Sequence, residues 1–161
     1  PPTYTLGLKA KAEHILNHDH QIPVIQSDRG GQITYHAPGQ LLVYILFDLK
    51  RRSAKIREFI HDFETIMLNA VRYYSKEATL NKSDPGIFIN DKKIVSFGLK
   101  IAKGRSYHGA SINISMNMDP WKRINVCGKK NQQVTDLEKE GIPANVSDVS
   151  KVISQLVLTT F

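Results

Sequence analysis

The chain has 161 residues, a net charge of +7 and one cysteine. This length suits a single domain with a sizeable core, and a hydrophobic fraction of 41% excludes disordered and collagen-like classes. The longest apolar run, 41–47, is far shorter than the roughly 20 residues of a membrane helix, and a lone cysteine excludes an internal disulfide and favours the cytoplasm.

The first forty residues have the composition of strands and loops. We predict a strand over 3–7, a short helix over 9–16 and a second strand over 23–26. A polar segment rich in Gly and Pro follows. The continuous apolar run 41–47 then predicts a strand that is buried on both faces.

An amphipathic helix is the clearest predicted element. Apolar residues recur at helical spacing between Ile56 and Tyr74, and charged residues occupy the other side. Ser53 is the predicted N-cap of this helix. The pattern indicates a helix that packs on a sheet.

The second half of the chain predicts three strands, over 86–90, 93–102 and 105–116. The dipeptides Asn90-Asp91 and Lys103-Gly104 have the composition of the tight turns between them. A second helix, capped by Ser147, is predicted at the C-terminal end. Because strands and helices are segregated rather than alternating, the sequence favours an α+β fold, in one domain over 1–161.

Three polar segments could carry chemistry. The first reads RGGQITYHAPGQ, from Arg29 to Gln40, and it lacks the spacing of a phosphate-binding loop. The second runs from Arg105 to Ser111 and contains His108. The third surrounds Cys127, with basic neighbours that favour a nucleophilic thiolate. Each also has a plain structural interpretation: a turn, a hydrogen-bonded histidine and a small buried thiol.

The positive charge favours an acidic protein partner. Basic residues cluster at 50–52, 100–105, 122–123 and 129–130. No zinc-finger spacing, RNP motif or interleaved aromatic residues indicate nucleic-acid binding. We therefore expect neither a nucleic-acid nor a membrane partner, and the scattered histidines predict no metal site.

Taken in order, these segments resemble the octanoyltransferases of lipoate biosynthesis, the lipoyl-protein ligase B family. The signature RGGQxTYHGPGQ of that family is matched from Arg29 to Gln40, except at Ala37. Its K-I/V-x-x-x-G, S-Y/F-H-G and RINPCG segments are similar to those at Lys93, Ser106 and Arg123, with Val126 in place of Pro. The opening PTYTLG also resembles a strand of the family, whose members usually have further elements before it. We therefore expect the domain to lack its first elements.

The resemblance implies an acyl transfer without a cofactor, on a mixed β-sheet flanked by helices as in the catalytic domains of biotin and lipoate protein ligases. Octanoyl-acyl carrier protein would be the donor, and a lysine of a lipoyl domain, in a 2-oxoacid dehydrogenase complex or the glycine cleavage H protein, the acceptor. Cys127 would be the nucleophile and Lys93 its acid/base partner, in a cytoplasmic monomer. The substrate-binding residues implied are Arg29, Gly30, Gly31, Gln32, Ile33, Thr34, Tyr35, His36, Ser96, Phe97, Gly98, His108, Gly109, Ala110 and Ser111.

Two other functions fit parts of the sequence. An ATP-dependent lipoate or biotin ligase shares the implied fold, but it forms an acyl-adenylate and needs no nucleophilic cysteine. A basic module that only binds acidic proteins or nucleic acid would need none of the three polar segments for catalysis. ATP-dependent ligation would identify the first, and retained binding without transfer the second.

Overall fold

The computed structural model describes residues 1–17, 21–126 and 132–161, which form three β-sheets and two α-helices. Short 3₁₀ helices cover Ala12–His14 and Asp119–Arg123. The strands and helices in chain order are β1 (Thr3–Leu6), β2 (Val24–Gln26), β3 (Ile33–His36), β4 (Gln40–Tyr44), α1 (Ile56–Tyr74), β5 (Thr79–Asn81), β6 (Gly86–Ile89), β7 (Lys92–Phe97), β8 (Lys100–Ala102), β9 (Arg105–Tyr107), β10 (Gly109–Asn113) and α2 (Val146–Thr160).

Helix α1 confirms the amphipathic prediction. Its buried side chains, among them Phe59, Phe63 and Met67, recur every three or four residues and pack in one core with the central strands and α2. The predicted cap is wrong, because the N-cap position is Lys55, which makes no side-chain capping bond. Ser53 instead has a φ of 51°, in the left-handed region, and belongs to the preceding turn.

The largest sheet has five antiparallel strands in the order β4-β10-β7-β6-β5. Its first strand does not fit the prediction of burial on both faces. Because β4 lies at an edge of the sheet, Leu42 and Tyr44 are 40% and 65% exposed. An apolar run alone does not distinguish an edge strand from a central one.

The predicted tight turns are confirmed, but two predicted strands divide. Asn90 and Asp91 have φ values of 50° and 61°, and Lys103 has 52°, as hairpin turns require. The predicted strand 93–102 bends between β7 and β8, and 105–116 bends at His108, whose φ is 58°. These bends direct the small β8–β9 hairpin away from the main sheet.

A smaller sheet, in the order β2-β1-β3, carries the glycine-rich segment and has its own core. Tyr35 lies between Tyr4 and Trp121, with ring centroids 5.4 and 5.8 Å away. The short helix expected over 9–16 is a single 3₁₀ turn. The second helix exists, but Asn145, not Ser147, caps it by accepting a bond from the Asp148 N–H.

The fold is α+β, as predicted from the segregation of strands and helices. Helices α1 and α2 cover the main sheet, and the β2-β1-β3 sheet stands beside it. Neither described helix combines the length and apolar content that crossing a bilayer would require.

Candidate active site

A cavity of about 320 Å³, the first cavity, lies where β3, the end of β7 and the start of β10 meet. It is lined by residues from three groups of the predicted substrate-binding residues, which we call the first wall (29–36), the second wall (96–98) and the third wall (109–111). They are Arg29, Thr34 and His36 from the first wall, Ser96, Phe97 and Gly98 from the second, and Gly109, Ala110 and Ser111 from the third, with His108 beside the third wall. Segments up to about eighty positions apart in sequence therefore form one cavity, because β10 pairs with β7 and sets Ser111 opposite Ser96.

Backbone of neighbouring segments lies close against two glycines of these walls. A Cβ on Gly30 would lie 2.7 Å from the Leu99 carbonyl oxygen, and one on Gly109 would lie 2.0 Å from that of Val43. The Gly98 N–H donates to the Gly109 carbonyl at 2.7 Å. Glycine is required at these positions because backbone occupies the space of a side chain.

Arg29 organises the first wall from within. Its side chain is 8% exposed, and its Nη2 donates to the carbonyls of Thr5 and Gln32, each at 2.6 Å. Its Nε donates to Thr5 Oγ1 at 3.0 Å, and its Nη1 to the Gly30 carbonyl at 2.9 Å. The guanidinium therefore ties the glycine loop to β1 while it lines the cavity.

His36 continues this network as a neutral imidazole. Its Nδ1 donates to Gln40 Oε1 at 2.7 Å, since the Gln40 amide nitrogen itself donates to Asn113 Oδ1 at 2.8 Å. Nε2 then accepts from the Thr5 hydroxyl at 3.0 Å. Burial lowers the pKa of His36 below 6.5, and the charge of Arg29 adds to this, against the bond to Gln40.

His108 is held at the mouth of the first cavity by Asp28. Its Nε2 donates to Asp28 Oδ1 at 2.7 Å, while Tyr107 Oη and Lys100 Nζ donate to Oδ2 at 2.8 and 3.0 Å. The bond from His108, with those from Lys100 and Tyr107, holds the pKa of Asp28 far below its ordinary value. The carboxylate thus joins the glycine loop to the β8–β9 hairpin.

A second cavity, of about 620 Å³, adjoins the first and shares Arg29, Thr34, Ser96 and Phe97 with it. Gly30, Gly31, Gln32 and Ile33 line this second cavity. The rest of its lining is largely apolar and contains one carboxylate. It consists of Ile56, Ile60, Leu99, Ile101, Val126, Pro85, Ser83, Lys9 and Asp84.

Lys93 is almost fully buried and forms an ion pair with Asp84. The Nζ–Oδ1 distance is 2.7 Å, and the two side chains are 1% and 3% exposed. The Nζ also donates to the Pro85 carbonyl at 3.4 Å and lies 5.2 Å from the centre of the Phe88 ring. Because burial removes both ions from water, each charge must be compensated by the other for the pair to be stable.

The remaining predicted residues are distributed as follows. The Tyr35 side chain lies in the smaller core, against Tyr4 and Trp121. Cys127 lies outside the described residues. Its neighbour in sequence, Val126, is 3% exposed and lines the second cavity.

Sequence reasoning missed Thr5, Asp28 and Asp84. Asp84 precedes Pro85-Gly86 in a turn, and nothing in the local sequence indicates that it pairs with Lys93 on a later strand. Asp28 directly precedes the glycine-rich signature, which is the one local signal that could have drawn attention to it. No cluster of three His, Cys, Asp or Glu that could hold a metal is found within 1–17, 21–126 and 132–161.

The substitution at Ala37 is compatible with the loop. Ala37 is not among the described residues with a positive φ, whereas Gly39 has a φ of 86°. A Cβ on Gly39 would lie 1.6 Å from the Ser115 carbonyl oxygen. The conformation that demands glycine is therefore at Gly39, and a methyl group is accommodated at Ala37.

Comparison with solved structures shows that this fold is that of lipoate and biotin ligase catalytic domains. A bi-partite lipoate protein ligase from Thermoplasma acidophilum superposes with a TM-score of 0.77 at 16% identity, over 99% of this chain and 67% of that one. Biotin protein ligase from Aquifex aeolicus, solved with biotin and ATP, gives 0.65 at 15% identity, over 97% and 69%.

Sequence comparison is more specific. Residues 1–158 match the model of the lipoyl protein ligase A/B catalytic domain, and the chain belongs to this family. Octanoyltransferases from Psychromonas ingrahamii and Vibrio cholerae are each 42% identical to it, over 95% and 98% of this chain and 70% and 72% of their own lengths. The octanoyltransferase of Legionella pneumophila is 38% identical, over 99% of this chain and 80% of its own. The resemblance inferred from the motifs is confirmed.

Proposed function

We propose that the protein is an octanoyltransferase that moves an octanoyl group from acyl carrier protein to a lysine of a lipoyl domain, through a thioester on Cys127. The observation that carries this proposal is the convergence of the three glycine-containing walls on the first cavity, in a chain 42% identical to octanoyltransferases. Its volume of about 320 Å³ lies at the lower end of the usual range of about 300–1,000 Å³ for ligand pockets. A short acyl chain fits that size.

In the proposed first half-reaction, the Cys127 thiolate attacks the carbonyl carbon of the octanoyl thioester. A carbon–sulfur bond to Cys127 forms as the bond to the carrier sulfur breaks. The Lys93 ammonium gives its proton to the departing carrier thiolate. Backbone N–H groups of the glycine-containing walls would stabilise the oxyanion that forms between these steps.

In the second half-reaction, the amine of the acceptor lysine attacks the Cys127 thioester. An amide bond forms, the Cys127 thiolate leaves, and the proton of the amine returns to Lys93. Asp84 supports this cycle, because its carboxylate lies 2.7 Å from the Lys93 Nζ and compensates the ammonium at rest. The reaction needs no nucleotide and no metal, and we place it in a monomer in the cytoplasm.

The proximity of Cys127 and Lys93 that this mechanism needs is supported from both ends of the segment 127–131. Before it, Val126 lines the same cavity as Asp84, the partner of Lys93. After it, the Gln133 carbonyl accepts from the Lys93 N–H at 2.9 Å. The described residues on either side of this segment therefore border the cavity that Asp84 lines and the strand that carries Lys93.

Intact-protein mass spectrometry with octanoyl carrier protein tests the proposal. Wild type is expected to gain one octanoyl group, and Cys127→Ala none. An equal adduct on Cys127→Ala contradicts the assigned nucleophile, and ATP-dependent attachment of free lipoate to a lipoyl domain would identify a ligase instead.

A substitution at Lys93 separates charge from proton transfer. Lys93→Arg keeps a cation facing Asp84 but cannot release a proton, so we expect acylation to slow by about a hundredfold, as for a lost general acid. Lys92→Arg is the matched control, because its partner is Glu140 and its side chain is 38% exposed. Equal rates for the two variants would refute the role of Lys93, provided that circular dichroism shows both to be folded.

A further inference from the structure

Two adjoining turns form a strongly basic surface, which we call the basic face. One turn follows β4 and the other closes the β8–β9 hairpin. They are joined by a hydrogen bond from the Leu49 N–H to the Gly104 carbonyl at 2.9 Å. The exposed cations of the basic face are Lys50, Arg51, Arg52, Lys103 and Arg105.

The positive charge of this face is only partly compensated. Asp48 accepts from Arg105 Nε at 3.0 Å and from the Arg51 N–H at 3.0 Å. Among the described residues it is the carboxylate that these two turns contact. Five cations against one anion leave an excess that attracts acidic partners at a distance of up to a Debye length, about 10 Å.

The basic face adjoins both cavities. Arg105 and His108 are three positions apart, about 10 Å at the rise of an extended strand, and His108 lines the first cavity. Ile101, on the other strand of the same hairpin, lines the second cavity, together with Ile56 at the start of α1. A protein docked on the basic face would therefore hold a flexible substituent near the mouths of both cavities.

We infer that the basic face docks the acidic carrier protein that donates the acyl group, an inference that rests on the proposed function. A carrier protein presents its acyl group on an arm joined through a phosphodiester, so an additional anion lies beside its acidic surface. Three of the five cations are arginines, whose planar guanidinium matches phosphate oxygens in pairs. An acceptor lipoyl domain presents a lysine instead, without such an anion, and is the alternative that the experiment distinguishes.

Charge reversal at two positions of the basic face tests this docking. In Arg51→Glu/Lys103→Glu we expect the KM for octanoyl carrier protein to rise by about tenfold, as expected when an attractive surface becomes repulsive, with an unchanged kcat. Octanoyl-pantetheine, which lacks the acidic protein, is expected to keep its KM. Raising the salt concentration is expected to reduce the difference between wild type and variant.

The matched control reverses the same amount of charge near the C-terminal end of α1, away from the basic face. Helix α1 has 19 residues and is therefore about 28 Å long. Lys76 follows its C-terminal end, and Lys151 shares a surface with Tyr73 and Tyr74 there. Lys76→Glu/Lys151→Glu is therefore expected to leave the KM for the carrier protein unchanged.

Several outcomes would overturn the inference. Equal KM values for the two double variants would show that only net charge matters, and a rise confined to the lipoyl domain would assign the basic face to the acceptor. Fluorescence anisotropy with labelled octanoyl carrier protein measures docking without turnover. If wild type binds the carrier protein and Arg51→Glu/Lys103→Glu does not, the docking on the basic face is supported even when no acyl group is transferred. The absence of transfer would then contradict only the proposed function. Absence of binding by wild type overturns the docking itself.

Discussion

The buried ion pair between Lys93 and Asp84 makes a quantitative prediction about stability. At the observed 2.7 Å, unit charges attract by about 6 kcal/mol at an effective dielectric constant of about 20, before the cost of desolvation is subtracted. Removing one partner of such a pair typically lowers the free energy of unfolding by about 3–5 kcal/mol, because the other charge stays buried. We expect this loss for both Lys93→Met and Asp84→Asn.

The double variant distinguishes a coupled pair from two independent contributions. In Lys93→Met/Asp84→Asn neither charge remains, so the loss is expected to be smaller than the sum of the single losses by about 3 kcal/mol or more. Urea unfolding followed by circular dichroism measures this coupling. At an m-value of about 2 kcal/mol/M, a difference of 3 kcal/mol moves the midpoint by about 1.5 M.

Lys92 provides the internal control for this cycle. Its Nζ lies 3.0 Å from Glu140 Oε1, but its side chain is 38% exposed. Thr135 and Asn90 also donate to Glu140, at 2.6 and 2.9 Å. Lys92→Met is therefore expected to cost about 1 kcal/mol or less. Additive losses in the cycle, or an equal loss in Lys92→Met, would refute the conclusion that Lys93 and Asp84 stabilise one another.

Two further predictions concern the walls of the first cavity. Because burial lowers the pKa of His36, the unfolded chain takes up a proton more readily than the folded one. The stabilisation by neutral His36 is complete above pH 6.5, the pKa of the histidine in the unfolded chain, and is lost as the pH falls through its pKa in the folded protein. In His36→Gln, the free energy of unfolding measured by urea titration should depend less on pH between pH 7 and pH 5 than in wild type. The exposed His61→Gln should follow wild type. Parallel curves for all three proteins would contradict the conclusion that His36 is buried in its neutral form. Gly109→Ala places a Cβ 2.0 Å from the Val43 carbonyl oxygen, so we expect a loss of about 1–3 kcal/mol and a lower Tm by calorimetry. The control is Ala37→Gly, where no positive φ is required, and it should change the free energy of unfolding by about 1 kcal/mol or less. If Gly109→Ala is as stable as this control, β4 and β10 can move apart to accommodate the methyl group.

The sequence predicted the elements whose signal is local. Helix α1 followed from its spacing of apolar residues, and the hairpin turns followed from Asn90-Asp91 and Lys103-Gly104. The edge position of β4 could not be predicted, because an apolar run carries no information about its neighbours in a sheet. The strand break at His108 was missed because a positive φ at histidine is uncommon and depends on contacts with distant residues.

The candidate site was predicted through its motifs rather than through physical reasoning on single residues. Arg29, Thr34 and His36 of the glycine-rich segment line one cavity with Ser96 to Gly98, and their role in substrate binding stays a prediction. Tyr35, inside the same motif, lies in the smaller core, since alternate residues of β3 face opposite sides. Asp28 and Asp84 were missed because their partners, His108 and Lys93, are brought to them only by the fold.

The bonding of Arg29 has a consequence for the thermodynamics of the proposed acyl binding. Its guanidinium donates to the carbonyls of Thr5, Gly30 and Gln32, so the glycine loop is cross-linked to β1 without any contribution from a substrate. A loop that is ordered beforehand loses little conformational entropy when a ligand arrives. Under the proposed function, the free energy gained by burying the alkyl chain would therefore contribute to affinity rather than to ordering the loop, and the first cavity would fill and empty in each cycle without reordering this wall.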